Sequence, residues 1–192
     1  HPFSDERFRA FQDGIRFLRE RAMAIGVKVV HLTPPVFDPQ PIQGKTLPAG
    51  LAEYRQPYQG YDEVLDRYSE WLLARKAEGW EVVDLHGLLK HRLAEERKRD
   101  PKFHFAADGV HLNSAGHRVI AQQLLKHWGA IPANAPDELV AFESVPLNRQ
   151  VLDLVRKKQR ILKDAWLTST GHTRPGMAKG LPLPEANREA GA

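Results

Sequence analysis

Two short β-branched runs limit what this chain can fold into. VKVVHLT (residues 27–33) and WEVVDLH (residues 80–86) are brief and rich in apolar residues. Runs of this kind suit strands buried on both faces of a parallel sheet; a strand with one wet face alternates apolar and polar residues instead. Each run follows a segment with a helical repeat. Over residues 4–25, Phe8, Phe11, Ile15, Leu18, Ala22 and Ile25 recur at spacings of three and four. Ser4 is placed to cap that helix, Asp5 and Glu6 favour its positive end, and Gly26 stops it. Over residues 61–78 the inner face is Val64, Leu65, Tyr68, Trp71 and Leu72, with Gly79 as the stop. Further helices are expected over 87–99, 117–128 and 147–167.

This alternation of helix and strand indicates an α/β domain with a mostly parallel sheet. Two strands fall short of the about five or six in an average sheet, and the chain opens on His1 rather than Met. The expectation is that N-terminal strands are missing from this chain, and that residues 1–130 are the C-terminal part of a larger domain. Residues 131–192 are expected to form a separate extension: a basic helix, then a Gly- and Pro-rich segment (171–192) read as extended chain.

Composition narrows the function classes. No apolar run approaches the roughly 18 residues that a membrane span needs. The absence of cysteine excludes disulfides, thiolate metal sites and a Cys nucleophile. The net charge of +4 is unevenly held. Residues 1–145 carry 19 Lys and Arg against 20 Asp and Glu; residues 146–192 carry 9 against 4. The excess centres on RKKQRILK (156–163), which reads as the solvated face of a helix. No aromatic interleaving or nucleic-acid motif accompanies it, so no nucleic-acid partner is expected.

The stretch FHFAADGVHLNSAGHRVIAQQLL (103–125) carries the chemistry. Asp108 stands three positions before His111 on a tight loop ahead of an amphipathic segment. A hydroxyl nucleophile needs a base near neutral pH, and imidazole is the usual one. A carboxylate fixes the tautomer of that imidazole and stabilises its charged form. Taken alone, DGVH also serves as an ordinary turn, with Asn113 and Ser114 as ordinary N-caps. The longer string DGVHLNSAGH resembles the last conserved block of the SGNH (GDSL-type) hydrolases, whose Asp-x-x-His supplies two members of a Ser-His-Asp triad. VKVVHLTPP is similar to the strand and loop after that family's third block, and YDEVLDRYSEWLLARKAEGWEVVDLHGLL to the helix and strand before its last. The resemblance spans about residues 4–128.

It implies a flavodoxin-like three-layer α/β/α sandwich and hydrolysis of a carboxylic ester, an acyl or acetyl ester on a carbohydrate or lipid. It implies Asp108 and His111 as the catalytic pair, with no metal and no organic cofactor. The chain departs from the family pattern elsewhere. The family's Gly-Asp-Ser motif is absent, and none of Ser4, Ser69, Ser114, Ser144 and Ser169 sits on a strand-to-helix elbow. The oxyanion-hole Gly and Asn of the upstream blocks are absent too, and HPFSDERF resembles sequence just after the Gly-x-Asn-Asp block. The chain on its own is therefore expected to be inactive, its complete form being the esterase. The alternative is a non-catalytic SGNH-like domain that binds carbohydrate or a partner.

Other residues invite weaker readings. His104, Asp108, His111 and His117 could gather around zinc or iron, but no metal-ligand spacing such as HExxH appears, and no metal is expected. His31 reads as a satisfied core histidine and His86 as the start of a helix. The loop 34–60, with Tyr54 and Tyr58 and with Tyr61 just beyond it, reads as a surface loop or a border of the substrate pocket. His172 and Arg174 lie in a tail that reads as a lid over the site, as a segment docking on a neighbour, or as plain disorder. A secreted or periplasmic location fits a polysaccharide esterase; neither compartment nor oligomeric state is assigned.

Overall fold

The computed structural model describes residues 1–135, 144–173 and 176–191. Arg174 and residues 136–143 lie outside them. The chain separates into two compact units, His1–Asn134 and Ala135–Ala192.

The first unit is mixed α/β and mostly helical, around a small parallel sheet. Helix α1 (Asp5–Ala24) starts where Ser4 accepts the amide of Arg7, and Gly26 ends it at a left-handed φ of +75°. Strand β1 (Val30–Leu32) leads into the Pro-rich loop, which holds a 3-10 turn at Gln40–Ile42 and a bridge between Leu47 and Tyr58. Helix α2 (Tyr61–Ala74) tightens into a 3-10 turn (Arg75–Glu78) that Gly79 stops at φ +78°. Strand β2 (Glu81–Val83) pairs parallel with β1, Val30 opposite Glu81 and Leu32 opposite Val83. Helices α3 (His86–Arg99) and α4 (Ser114–His127) complete the unit.

The core lies between α3, α4 and the segments that follow β1 and precede α4. Val36, Leu89, Leu93, Phe105 and Val119 form its buried centre, with Leu88, Phe103, Leu112, Ala115 and Ile120 packed around it. Helix α1 joins by ring contacts and by Arg16 and Arg19 lying over the Trp71 and Trp80 rings, and it buries no residue fully. Phe8 and Phe11 pack on Tyr68 and Trp71 of α2, with Phe11 and Tyr68 ring centres 4.5 Å apart. Such pairs contribute about 0.5–1.5 kcal/mol each beyond the area they bury.

Three expectations are corrected. Strand β1 is not covered on both faces: His31 points inward, but Leu32 is 41% exposed. Leu18 and Ile25, assigned by spacing to the inner face of α1, are exposed. Periodicity marks an apolar face without supplying what covers it. Beside β1, α1 and α2 there is a cavity of about 580 Å³ lined by Phe11, Ile15, Val30, Leu32 and Leu72 among others. Finally, α4 begins at Ser114 rather than 117, because the Asn113 side chain accepts the amides of Ala115 and Gly116.

The second unit holds α5 (Pro146–Ser169) and α6 (Leu183–Gly191), packed on each other. The last helix corrects the reading of 171–192 as wholly extended. Pro184 falls in its first turn, where a missing N–H costs nothing.

One buried hydroxyl ties the sheet together. Thr33, 1% exposed, donates to the Asp84 carboxylate at 3.1 Å. Its oxygen accepts the amides of Leu85 (2.7 Å) and His86 (2.8 Å) at the start of α3. Thr33→Val keeps the shape and strands both amides; each buried unpaired donor costs about 1–3 kcal/mol. Thermal unfolding followed by circular dichroism should show a loss of about 3 kcal/mol, with Thr33→Ser close to the parent.

Candidate functional site

Asp108 and His111 sit on the turn that connects the core segment at Phe105 to α4. Three hydrogen bonds close this turn on one carboxylate. Asp108 Oδ1 accepts the amides of Val110 (3.0 Å) and His111 (2.8 Å), and Oδ2 lies 2.6 Å from His111 Nδ1. The His111 hydrogen bond, followed by the two amides, holds the Asp108 carboxyl well below the usual carboxylate range. The carboxylate therefore stays charged at neutral pH and keeps the Nδ1 proton facing it. The imidazole is 82% exposed, and no hydrogen bond reaches its Nε2 among the described residues. The pair can take a proton from a hydroxyl placed at Nε2 and share the resulting charge with Asp108.

The turn is seated from below. The carbonyl of Gly109, a residue at φ +78°, accepts the amide of Asp38 at 3.0 Å. A Cβ at Gly109 would lie 2.5 Å from the Asp38 carbonyl oxygen. Asp38 is itself buried, with Oδ2 2.6 Å from Arg97 Nη2 of α3, while Arg97 Nε donates to the carbonyl of Phe103. On the far side, Asn113 caps α4 and donates its Nδ2 to the carbonyl of His104. Gly116 lets the first turn of α4 close on Leu112 and Phe105, whose Cβ atoms would be 3.1 and 3.3 Å from an added Cβ. An apolar cleft of about 150 Å³ adjoins Val110, lined also by Pro34, Pro35, Val36, Phe37, Tyr61 and Leu65. Tyr61 thus borders a cavity beside the turn. Tyr54 bonds instead to the Pro48 carbonyl and packs edge-on against Tyr58.

The four residues considered for a metal do not converge. His104 Nδ1 lies against the Lys102 carbonyl, and His117 belongs to the first turn of α4. Among the described residues the donor group that does converge is Asp62, Asp66 and His86. Sequence reasoning missed it, although Asp62 and Asp66 are four apart and so share a face of α2. The Lys90 ammonium already lies within it, 2.9 Å from Asp62 and 2.7 Å from Asp66. Asp62 also accepts the Phe37 amide, so the cluster ties α2, α3 and the loop after β1. His86 begins α3 as expected, buried, with Nε2 2.9 Å from Asp66. His31 is corrected: it stacks on Trp80 at 4.7 Å, but its buried Nε2 has no partner. Burial, then the charge of Arg19, lowers its pKa.

Two consequences are measurable. Gly109→Ala forces an L-residue into a left-handed φ against a backbone oxygen, and should cost about 2 kcal/mol or more in denaturant melts. The depressed Asp108 pKa means that the turn gains stability which is full above the unfolded carboxylate value, about 3.9. That stability is lost as pH falls through the lower folded value. A carbon-13 titration of the Asp108 carboxyl should show a midpoint below that of a free aspartate. A midpoint at or above it would contradict the hydrogen bonding described.

A family model described as GDSL-like Lipase/Acylhydrolase matches residues 1–119. A solved structure described as a gut microbial diltiazem-metabolizing enzyme is similar over 67% of this chain, with 19% sequence identity and a TM-score of 0.45. The chain covers 29% of that protein's length. No curated protein matches. The matched segment takes in β1, β2 and the Asp108–His111 turn and covers more than half of the sequence, and the chain belongs to the GDSL-like lipase and acylhydrolase family.

Proposed function

We propose that this chain supplies the acid–base half of a carboxylic-ester hydrolase. The observation that carries the reading is the 2.6 Å contact between Asp108 and an imidazole whose second nitrogen faces solvent. In the complete protein a serine hydroxyl attacks the ester carbonyl. His111 takes the hydroxyl proton at Nε2 and passes it to the leaving alcohol, and Asp108 holds the ring and its charge. Water then attacks the acyl-serine carbonyl and gives its proton to His111 Nε2, which passes it to the serine oxygen as that C–O bond breaks and the acid leaves. The ester is an acyl or acetyl group on a carbohydrate or lipid.

The nucleophile and the oxyanion donors lie outside these 192 residues in this reading. The serines support it. Ser4 caps α1, Ser69 is buried in α2 and donates to the Leu65 carbonyl, Ser114 starts α4 and Ser169 ends α5. Further strands complete a flavodoxin-like three-layer sandwich by adding to β1. The exposure of Leu32 and the cavity of about 580 Å³ beside it support that placement. Residues 1–130 then form the C-terminal part of the hydrolase domain and 131–192 an extension of it.

Hydrolysis of a short-chain nitrophenyl ester by the complete protein tests the reading. His111→Ala and Asp108→Asn should each lower kcat by roughly 10⁴-fold, and the 192-residue chain alone should not exceed spontaneous hydrolysis. Near-normal turnover in His111→Ala would sink the assignment. No turnover by the complete protein on any ester would favour a domain that binds and does not cleave.

A further inference from the structure

Helix α5 carries an apolar stripe that is covered at one end only among the described residues. Leu147, Val151, Leu154 and Val155 are 67, 45, 67 and 47% exposed. At helical spacing they fall within an arc of about 100°. Ile161, Leu162 and Ala165 continue that arc toward the C-terminus. There Ala165 is fully buried, as is Ala186 of α6, and Gly180 donates its amide to the Thr168 hydroxyl at 2.8 Å. Gly180 lies so close to the helix that a Cβ would be 2.1 Å from the Asp164 carbonyl carbon. The N-terminal half of the stripe has no such cover among the described residues.

The charges are sorted by face. The helix holds six Lys and Arg against two Asp, a net of +4. Arg149, Arg156, Arg160 and Lys163 lie on the arc opposite the stripe, with Lys157 at its border. Asp153 pairs with Arg156 and Asp164 with Lys163. Lys157, Lys158 and Arg160 have no acidic partner among the described residues, and Lys158 projects from within the apolar arc. Trp166, 56% exposed, sits where the apolar arc meets the polar one.

We propose that α5 binds an anionic membrane surface, lying in the interface with Leu147, Val151, Leu154 and Val155 turned into it. An apolar face backed by Lys and Arg is what an interfacial helix presents to acidic lipid. Lys158 decides between this occupant and a second copy of the chain. Two such stripes packed together bury Lys158 against Leu and Val with no acid to meet it. At a lipid surface its stem lies along the acyl boundary while its ammonium reaches the phosphates. Trp166 has the amphipathic ring that favours the headgroup level. No described helix is long and apolar enough to cross a membrane, so the helix lies on the surface. This stands independently of the ester-hydrolase reading.

Co-sedimentation of the 192-residue chain with vesicles tests it. Binding should be at least about ten-fold stronger to phosphatidylcholine vesicles with about 30 mol% phosphatidylglycerol than to phosphatidylcholine alone, and should weaken in about 0.5 M salt. Val151→Glu with Leu154→Glu should lower it about ten-fold or more. Both side chains are exposed, so helical content by circular dichroism should not change. Lys157→Glu with Arg160→Glu, which leaves the stripe intact, should weaken binding comparably. No sedimentation with either vesicle, equal binding to both, or a Val151→Glu, Leu154→Glu chain that binds like the parent would overturn the proposal. So would a dimer by light scattering that Leu154→Glu converts to a monomer, or duplex DNA binding without vesicle binding.

Discussion

The Thr33 hydroxyl is where the two strands and the first core helix are joined. It is buried, donates once to Asp84, and accepts twice from the amides that open α3. Asp84 in turn accepts the Gly87 amide, so both strand ends and the first turn of α3 share one polar knot. Neither strand is long enough to define the sheet by its ladder alone, since each has three paired residues. Side-chain bonds at the strand ends therefore do what additional ladder hydrogen bonds do in longer sheets. The loop leaving β1 is aimed by this knot, and that loop carries Asp38 to the underside of the Asp108–His111 turn.

The turn itself depends on two kinds of constraint. Its inner geometry is local: one carboxylate gathers two amides and one imidazole within four residues. Its position in the fold is long-range, set by the Asp38–Gly109 backbone bond and by the Arg97 ion pair that holds Asp38. Arg97 spans Asp38 and the Phe103 carbonyl, so one guanidinium links the loop after β1 to the segment before the turn. The apolar core under α3 and α4 fills the space below and leaves the imidazole outward.

Local chemistry was readable in the residues, and long-range chemistry was not. Ser4 as a cap and Gly79 as a stop depend on neighbours within four positions, so spacing identifies them; Asp108 and His111 also lie within four positions, and it is the resemblance to a family motif that singles them out. Thr33 looks like any strand-end threonine, because its partners lie more than fifty residues away. Lys90 entering the Asp62–Asp66–His86 group is invisible for the same reason. Helix α6 was hidden by composition: a Gly- and Pro-rich segment suggests extended chain until its proline is seen to fall in a first turn. The exposure of Leu18, Ile25 and Leu32 marks a different limit, for a hydrophobic pattern does not identify its partner.

The uncovered side of β1 has a further consequence. Among the described residues β1 pairs on one side only, and a strand edge of that kind presents backbone donors and acceptors, here beside apolar side chains. No proline, bulge or charged side chain within Val30–Leu32 blunts it. An edge of this kind accepts any extended segment of suitable register. An edge of this kind that nothing occupies is where two copies of a sheet can pair, which is why sheets elsewhere shorten, charge or cover their edges.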